Sequence, residues 1–175
     1  MLGITSEFRG ATVAIAGNQI MTGKIDIRLK ELGITLPKAA IPLANYVPYV
    51  ITGNLVFVSG QGPMGPDGVA YAGKLGRDYD ATEGKAAARL TALNVIAQLK
   101  NAVDGDLDRV KRVVKLLGFV NSTPDFNQQP FVINGASDLM VEIFGEAGKH
   151  ARSVVSAPSL PVDFAVEIEA IFEIG

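Results

Sequence analysis

The chain has 175 residues, 48% hydrophobic and 19% charged, with 16 Lys and Arg against 18 Asp and Glu and a net charge of −2. This composition predicts one globular domain, and the near-neutral charge argues against binding to nucleic acid or to an anionic membrane. The chain has no cysteine and one histidine, which excludes disulfides, thiol nucleophiles and thiolate metal sites and disfavours a His-based metal site or a Ser/His/Asp triad.

The N-terminal segment is too polar and too interrupted for a signal peptide, and Met21 opens a stretch typical of a natural translation start. We therefore predict that residues 1–22 form an extension, native or introduced by an upstream start, and that residues 23–175 form a single domain. No stretch reaches the roughly 18 consecutive apolar residues of a membrane span. We expect a cytoplasmic protein.

The first half of the domain predicts two helices and a hairpin. Apolar spacing favours a helix over 24–32, ended by a glycine. Thr52-Gly53-Asn54 is a turn signal between two β-rich runs, and Leu55–Val58 is apolar on both faces, as in a fully buried strand. A Gly/Pro-rich loop follows, with a short strand near 69–72. The longest helix is predicted from Asp80 to Val103, with an acidic start that suits the helix dipole.

The second half alternates strand, helix, strand and strand. Residues 110–120 are apolar on both faces, and an i, i+3, i+4, i+7 stripe predicts an amphipathic helix at about 136–146. Strands are predicted at 151–156 and 164–174. This order predicts the α+β class with a mixed sheet.

The distribution of apolar residues over the two faces of the sheet predicts an oligomer. Two long helices cover one face of such a sheet, yet 55–58 and 113–120 are apolar on both faces. The second face would be a large exposed apolar patch, which soluble monomers avoid. A homo-oligomer with cyclic symmetry would bury it.

Two charged residues interrupt the apolar C-terminal strands: Arg152 opens one and Glu167 lies inside the other. They are either a structural pair beside a solvated strand face or parts of a site for a small carboxylate ligand. In the second interpretation the arginine offers a bidentate fork to the carboxylate, and the glutamate holds or deprotonates a water. Tyr46 and Ser59 are candidates to add hydroxyl groups near the strand ends.

The C-terminal pattern RSVV…LPVDFAVEIEAI resembles the RidA/YjgF (L-PSP endoribonuclease-like) family of enamine/imine deaminases. GNLVFVSGQGP at 53–63 and FVNSTPDF at 119–126 also match, so the resemblance covers about residues 44–175 in one order. It implies a chorismate-mutase-like α+β fold, with two long helices on one face of a mixed sheet, and a homotrimer whose sheets form a barrel with clefts between subunits. The N-terminal extension and the longer loop at 62–80 mark a longer, divergent member.

The resemblance also implies residue roles. Arg152 and Glu167 are the implied catalytic residues: the arginine binds the substrate carboxylate and the glutamate positions water. The implied substrate-binding residues are Tyr46, Ser59, Val154, and either Asn134 or Ser137. Val154 replaces a frequent family cysteine, whose role belongs to the main-chain carbonyl. An insertion after Phe126 leaves open which of Asn134 and Ser137 takes the position of the family's asparagine.

The implied reaction is hydrolysis of a 2-imino or enamine acid to a 2-keto acid and ammonia, with no metal or organic cofactor. One alternative is a non-catalytic trimeric protein that binds or senses small carboxylate metabolites. Endoribonuclease or translation-inhibitor activity is less favoured, because the chain lacks a basic groove signature. His150 lies either at the pocket mouth or, as the simpler interpretation, exposed at a helix end.

Overall fold

The computed structural model describes residues 23–40 and 45–175. The predicted extension at 1–22 lies outside the described residues. The helices are α1 (Lys24–Glu31), α2 (Ala81–Ala102) and α3 (Gln129–Phe144). The strands are β1 (Tyr49–Thr52), β2 (Leu55–Gln61), β3 (Met64–Gly65), β4 (Gly68–Val69), β5 (Val110–Asn121), β6 (Ala151–Ala157) and β7 (Val166–Ile174).

Five strands form one mixed sheet in the order β1-β2-β7-β5-β6. β5 pairs with β6 in parallel and with β7 in antiparallel fashion, and β7 also pairs antiparallel to β2. The predicted hairpin forms β1 and β2, whereas β3 and β4 form a separate two-stranded ribbon. The α+β class with a mixed sheet is confirmed.

Two long helices cover one face of this sheet. α2 begins at a capping box, in which the Asp80 carboxylate accepts from the Glu83 N–H at 2.8 Å and the Glu83 carboxylate accepts from the Asp80 N–H at 2.9 Å. The helices cross closely at Gly135, since an added Cβ there would lie 2.0 Å from the Lys85 carbonyl oxygen. Their inner faces and the facing strand residues form the buried core, which includes Phe172 and Leu116.

Two predicted boundaries were wrong. α3 begins at Gln129 and not at 136. Pro130 occupies its first turn, where the missing N–H costs no hydrogen bond, and Val132 and Ile133 are fully buried and extend the apolar stripe backwards. The last strand begins at Val166 and not at 164, because Val162 and Asp163 take positive φ values of 46° and 59° in the preceding turn.

The sheet face opposite the helices is open in the single chain. Val56 and Val58 of β2 point into the core, but Phe57 between them is 40% exposed, so the prediction that Leu55–Val58 is buried on both faces does not hold within one subunit. Phe57 pairs with Val50 of β1 and Ile171 of β7 on the same face. We call this apolar surface the open face.

No helix within residues 23–40 and 45–175 is long and apolar enough to cross a bilayer.

Candidate functional site

Arg152 lies on β6, the edge strand, and points toward α3. It pairs in register with Leu116, a fully buried core residue, so its side chain is on the helix side of the sheet. Its Nη1 donates to the Asn134 side-chain oxygen at 2.8 Å and to the Ser137 hydroxyl at 3.0 Å. We call Arg152, Asn134 and Ser137 the arginine half-site.

The structure brings both alternative candidates from α3 next to Arg152. Asn134 and Ser137 are three residues apart, so they lie on the same side of the helix. With its oxygen accepting from Arg152, the Asn134 amide keeps its two N–H donors for other partners. The arginine half-site therefore has N–H donors on both a guanidinium and an amide.

Val154 belongs to the same edge. It lies two residues after Arg152 on β6, faces the same side of the sheet, and packs partly buried against the core. Its side chain therefore contributes to packing at this edge of the sheet.

Glu167 lies on β7 and points to the open face. It pairs with Phe119 in register, and its carboxylate covers Gly60 of β2: a Cβ added to Gly60 would lie 2.0 Å from Glu167 Oε1. Burial is the main cause that raises the pKa of the Glu167 carboxyl, and the nearby charge of Glu169 raises it further. A carboxyl with a raised pKa accepts a proton more readily near neutral pH, which suits a general base.

Ser59 precedes Gly60 at an irregularity of β2. The register between β2 and β7 shifts between Val58 and Gln61, so two β2 residues oppose one residue of β7, as in a β-bulge. The Ser59 hydroxyl donates to the Val47 carbonyl at 2.7 Å, which ties down the segment next to Tyr46. We call Glu167, Ser59, Gly60 and Tyr46 the glutamate half-site.

Within one chain the two half-sites are apart. Arg152 points to the helix side of the sheet and Glu167 to the open face. Ser59 and Arg152 are on β2 and β6, which are separated by three strand spacings, about 14 Å. A single subunit thus presents the arginine half-site at one edge of the sheet and Ser59 with Tyr46 near the other.

Sequence reasoning placed His150 either at the pocket mouth or exposed at a helix end, and it missed the contact of His150 with Ser137. The residue is partly buried and not exposed, and its ring nitrogens lie 3.0 Å from the Ser137 hydroxyl and 2.6 Å from the Gly148 carbonyl oxygen. The available signal was its position two residues before Arg152, the spacing that places extended residues on one face.

A second polar cluster was also missed, at the end of β5. Asn121 is fully buried. Its oxygen accepts from Lys74 Nζ at 2.5 Å, and its amide donates to the Gly73 carbonyl at 3.3 Å and to the Asp163 carboxylate at 3.2 Å. These contacts fasten the loop before α2 to the end of the sheet.

A groove of about 1290 Å³ runs between α1, the following segment and the end of α2. None of the sequence-predicted site residues lines it. Among the described residues, no group of three or more His, Asp and Glu is arranged to hold a metal ion.

Comparison with known proteins places the chain among relatives of this architecture. Residues 26–173 match the family model described as "YjgF/chorismate_mutase-like, putative endoribonuclease". The chain is 50% identical over 157 residues to Protein TCP17 of Trypanosoma cruzi, covering 89% of this chain and 98% of that protein.

Two solved structures are informative. The protein Atu1372 from Agrobacterium tumefaciens, of unknown function, is 52% identical with a TM-score of 0.81, and the match covers 86% of this chain and 92% of that one. Escherichia coli TdcF with bound serine is 26% identical with a TM-score of 0.57, over 79% of this chain and 94% of that one.

Proposed function

Because the chain belongs to the YjgF/RidA/L-PSP endoribonuclease-like family, we propose that it hydrolyses reactive 2-imino and enamine acids to 2-keto acids and ammonia. The proposed site is a cleft between subunits, where the arginine half-site of one subunit meets the glutamate half-site of its neighbour. The observation that carries the proposal is the arrangement of Arg152 against Asn134 and Ser137.

This arrangement leaves one side of the guanidinium for a ligand. Nη1 has two hydrogens, and both are taken by Asn134 and Ser137. Within the described parts of the chain, no hydrogen bond reaches Nε or Nη2. These two nitrogens form the planar fork that binds a carboxylate with two parallel hydrogen bonds. TdcF was solved with bound serine, a ligand that carries such a carboxylate.

Glu167 supplies the second function. In the proposed reaction its carboxylate takes a proton from water as the water oxygen bonds to the imine carbon. The electron pair of the C=N bond moves to the nitrogen of the protonated imine, which gives a neutral amino alcohol. Glu167 then passes its proton to that nitrogen and the C–N bond breaks to release ammonia. The hydroxyl oxygen loses its proton as the carbonyl of the 2-keto acid forms. Imines hydrolyse in water unaided, so positioning and modest acid–base help suffice.

The separation of the half-sites in one chain supports a site shared between subunits. If the β6 edge of one subunit lies beside the β1–β2 edge of the next, Arg152 approaches the neighbour's Ser59 and Tyr46. Repetition around a threefold axis closes a homotrimer and covers the open face with its Phe57, Val50 and Ile171. Cyclic closure of this kind is the common solution for such interfaces.

A second candidate is a non-catalytic protein that binds small carboxylate metabolites. The observation that favours it is that the arginine half-site is complete within one chain, whereas Glu167 is not beside it. The ribonuclease activity named in the family description is not proposed, because a net charge of −2 offers little attraction to a phosphate backbone.

The deciding experiment measures ammonia released from imines that an amino-acid oxidase generates in situ from several amino acids, with and without the protein. Catalysis predicts faster release with wild type. Arg152→Lys keeps the charge but loses the fork, so KM should rise, whereas Glu167→Gln should keep binding and lose kcat. Wild-type binding of a 2-keto acid without accelerated release would favour the metabolite-binding candidate.

A further inference from the structure

His150 lies in a series of hydrogen bonds that runs from the carbonyl of Gly148 to the guanidinium of Arg152. Arg152 Nη1 contacts the Ser137 hydroxyl at 3.0 Å, that hydroxyl contacts His150 Nε2 at 3.0 Å, and His150 Nδ1 contacts the Gly148 carbonyl at 2.6 Å. All three side chains are partly buried. The contacts join the middle of α3, the turn that follows the helix and the edge strand β6.

The chemistry of the two ends fixes the direction of every bond between them. The Gly148 carbonyl only accepts, so Nδ1 of His150 carries a hydrogen. In the neutral imidazole Nε2 is then an acceptor. The guanidinium of Arg152 only donates, so the Ser137 oxygen accepts from it. The one hydrogen of the Ser137 hydroxyl is left for Nε2.

This ordering matters because a serine hydroxyl rotates freely unless a partner holds its hydrogen. With His150 as acceptor, the hydrogen of Ser137 points away from Arg152 and a lone pair faces Nη1. Without that acceptor the hydroxyl can rotate its hydrogen toward Nη1, so that no lone pair faces the guanidinium. The guanidinium would then lose one of the two contacts that set its plane.

We infer that His150 is a positioning residue for Arg152: by accepting the hydrogen of Ser137 it holds the arginine fork in the orientation that binds a substrate carboxylate. The inference rests on the proposed carboxylate role of Arg152. His150 itself does not touch the substrate, and its effect passes through Ser137.

The test is a double-mutant cycle on binding of 2-oxobutanoate, a 2-keto acid of the proposed product class, measured by calorimetry at neutral pH. His150→Leu fills a similar volume without an acceptor and should weaken binding roughly three- to ten-fold, the equivalent of one lost hydrogen bond. Ser137→Ala should weaken it by a similar factor. The double variant should bind no more weakly than Ser137→Ala alone, because His150 has nothing left to act on.

His150→Gln is the matched control, since its side-chain oxygen can occupy the place of Nε2 and accept from Ser137. It should restore most of the affinity lost in His150→Leu, and thermal melts should show all variants folded. Independent, additive losses from His150→Leu and Ser137→Ala, or wild-type affinity in His150→Leu, would overturn the inference.

Arg152→Lys separates this inference from the proposed function. If Arg152→Lys loses affinity but His150→Leu does not, the positioning role fails while the carboxylate role stands. If the cycle behaves as expected and wild type does not accelerate ammonia release from imines, the positioning role stands and the catalytic proposal fails. Unchanged affinity in Arg152→Lys would overturn both the carboxylate role and the positioning role.

Discussion

Replacing Gly135 with alanine tests how closely α3 must approach α2. The added Cβ would lie 2.0 Å from the Lys85 carbonyl oxygen, 2.9 Å from its carbon and 3.1 Å from the Arg89 nitrogen. All three are backbone atoms of α2, so no side chain can turn away to make room. The helices must separate by more than 1 Å for an ordinary contact of about 3.4 Å.

The expected magnitude follows from two opposing effects. Overpacking that shifts backbone costs about 1–3 kcal/mol, and a 2.0 Å obstruction by backbone belongs at the upper end of that range. Alanine favours a helix over glycine by about 1 kcal/mol. The free energy of unfolding should therefore fall by about 2 kcal/mol net, or roughly 4–8 °C in Tm for a chain of this length.

Urea unfolding at one fixed protein concentration measures this change. Gly84→Ala, in α2, is the matched control: it has the same gain in helix propensity, but its new Cβ meets side-chain atoms of Leu75 and Val132. That variant should lose less stability than Gly135→Ala. Equal losses, or a more stable Gly135→Ala, would refute the argument that a backbone contact sets the helix spacing.

The same substitution should also affect the site. Asn134 precedes Gly135 and Ser137 follows it by two residues, so moving α3 away from α2 shifts both partners of Arg152. Binding of 2-oxobutanoate should weaken in Gly135→Ala and remain closer to wild type in Gly84→Ala. Unchanged binding with the expected loss of stability would show that the arginine half-site adjusts independently of the helix crossing.

Two further predictions concern the open face. The pKa of Glu167 is raised in the folded state by burial and by Glu169, so the contribution of this carboxyl to stability is lost as pH rises through the folded pKa. Glu167→Gln should therefore be more stable than wild type at pH 7 in urea unfolding, and this difference should vanish below about pH 4. A difference that is independent of pH would contradict the raised pKa. Phe57→Asp should convert the proposed trimer to monomers in analytical ultracentrifugation at micromolar concentration, because a charge would be buried. Val141→Asp is the control, because Val141 has similar exposure (39% against 40% for Phe57) but lies on α3. This variant should leave the trimer intact. If Phe57→Asp is still a trimer, the open face is not part of the interface.

The elements with a strong local signal were predictable from the sequence. α2 has acidic residues at the positions of a capping box and an apolar stripe over many turns, and its predicted ends differ from the observed Ala81 and Ala102 by one residue each. The β1–β2 turn at Gly53 was also predictable, because its φ of 56° is one that glycine adopts readily. In both cases neighbouring residues determine the structure.

The start of α3 was not predictable in the same way. Asn134 and Gly135 weaken a helix when considered alone, and they interrupt the apolar pattern after Val132 and Ile133. In the fold both residues are explained by distant contacts: Gly135 permits the close approach to α2, and Asn134 accepts from Arg152. The two residues with low helix propensity, Asn134 and Gly135, are therefore the ones that form the arginine half-site and the close helix contact.

The candidate site also combines features that were predictable from the sequence with features that depend on distant contacts. Arg152 and Glu167 were identifiable because a charge in an apolar strand is costly without a partner, but the sequence does not reveal which face each side chain takes relative to α3. That Arg152 meets Asn134, Ser137 and, through Ser137, His150 depends on α3 packing against β6. In the structure the side chain of Ile168 is buried, so its neighbour on the strand, Glu167, points to the open face. The two charges therefore cannot neutralise each other within one subunit, and each is left available to a ligand or a neighbouring subunit.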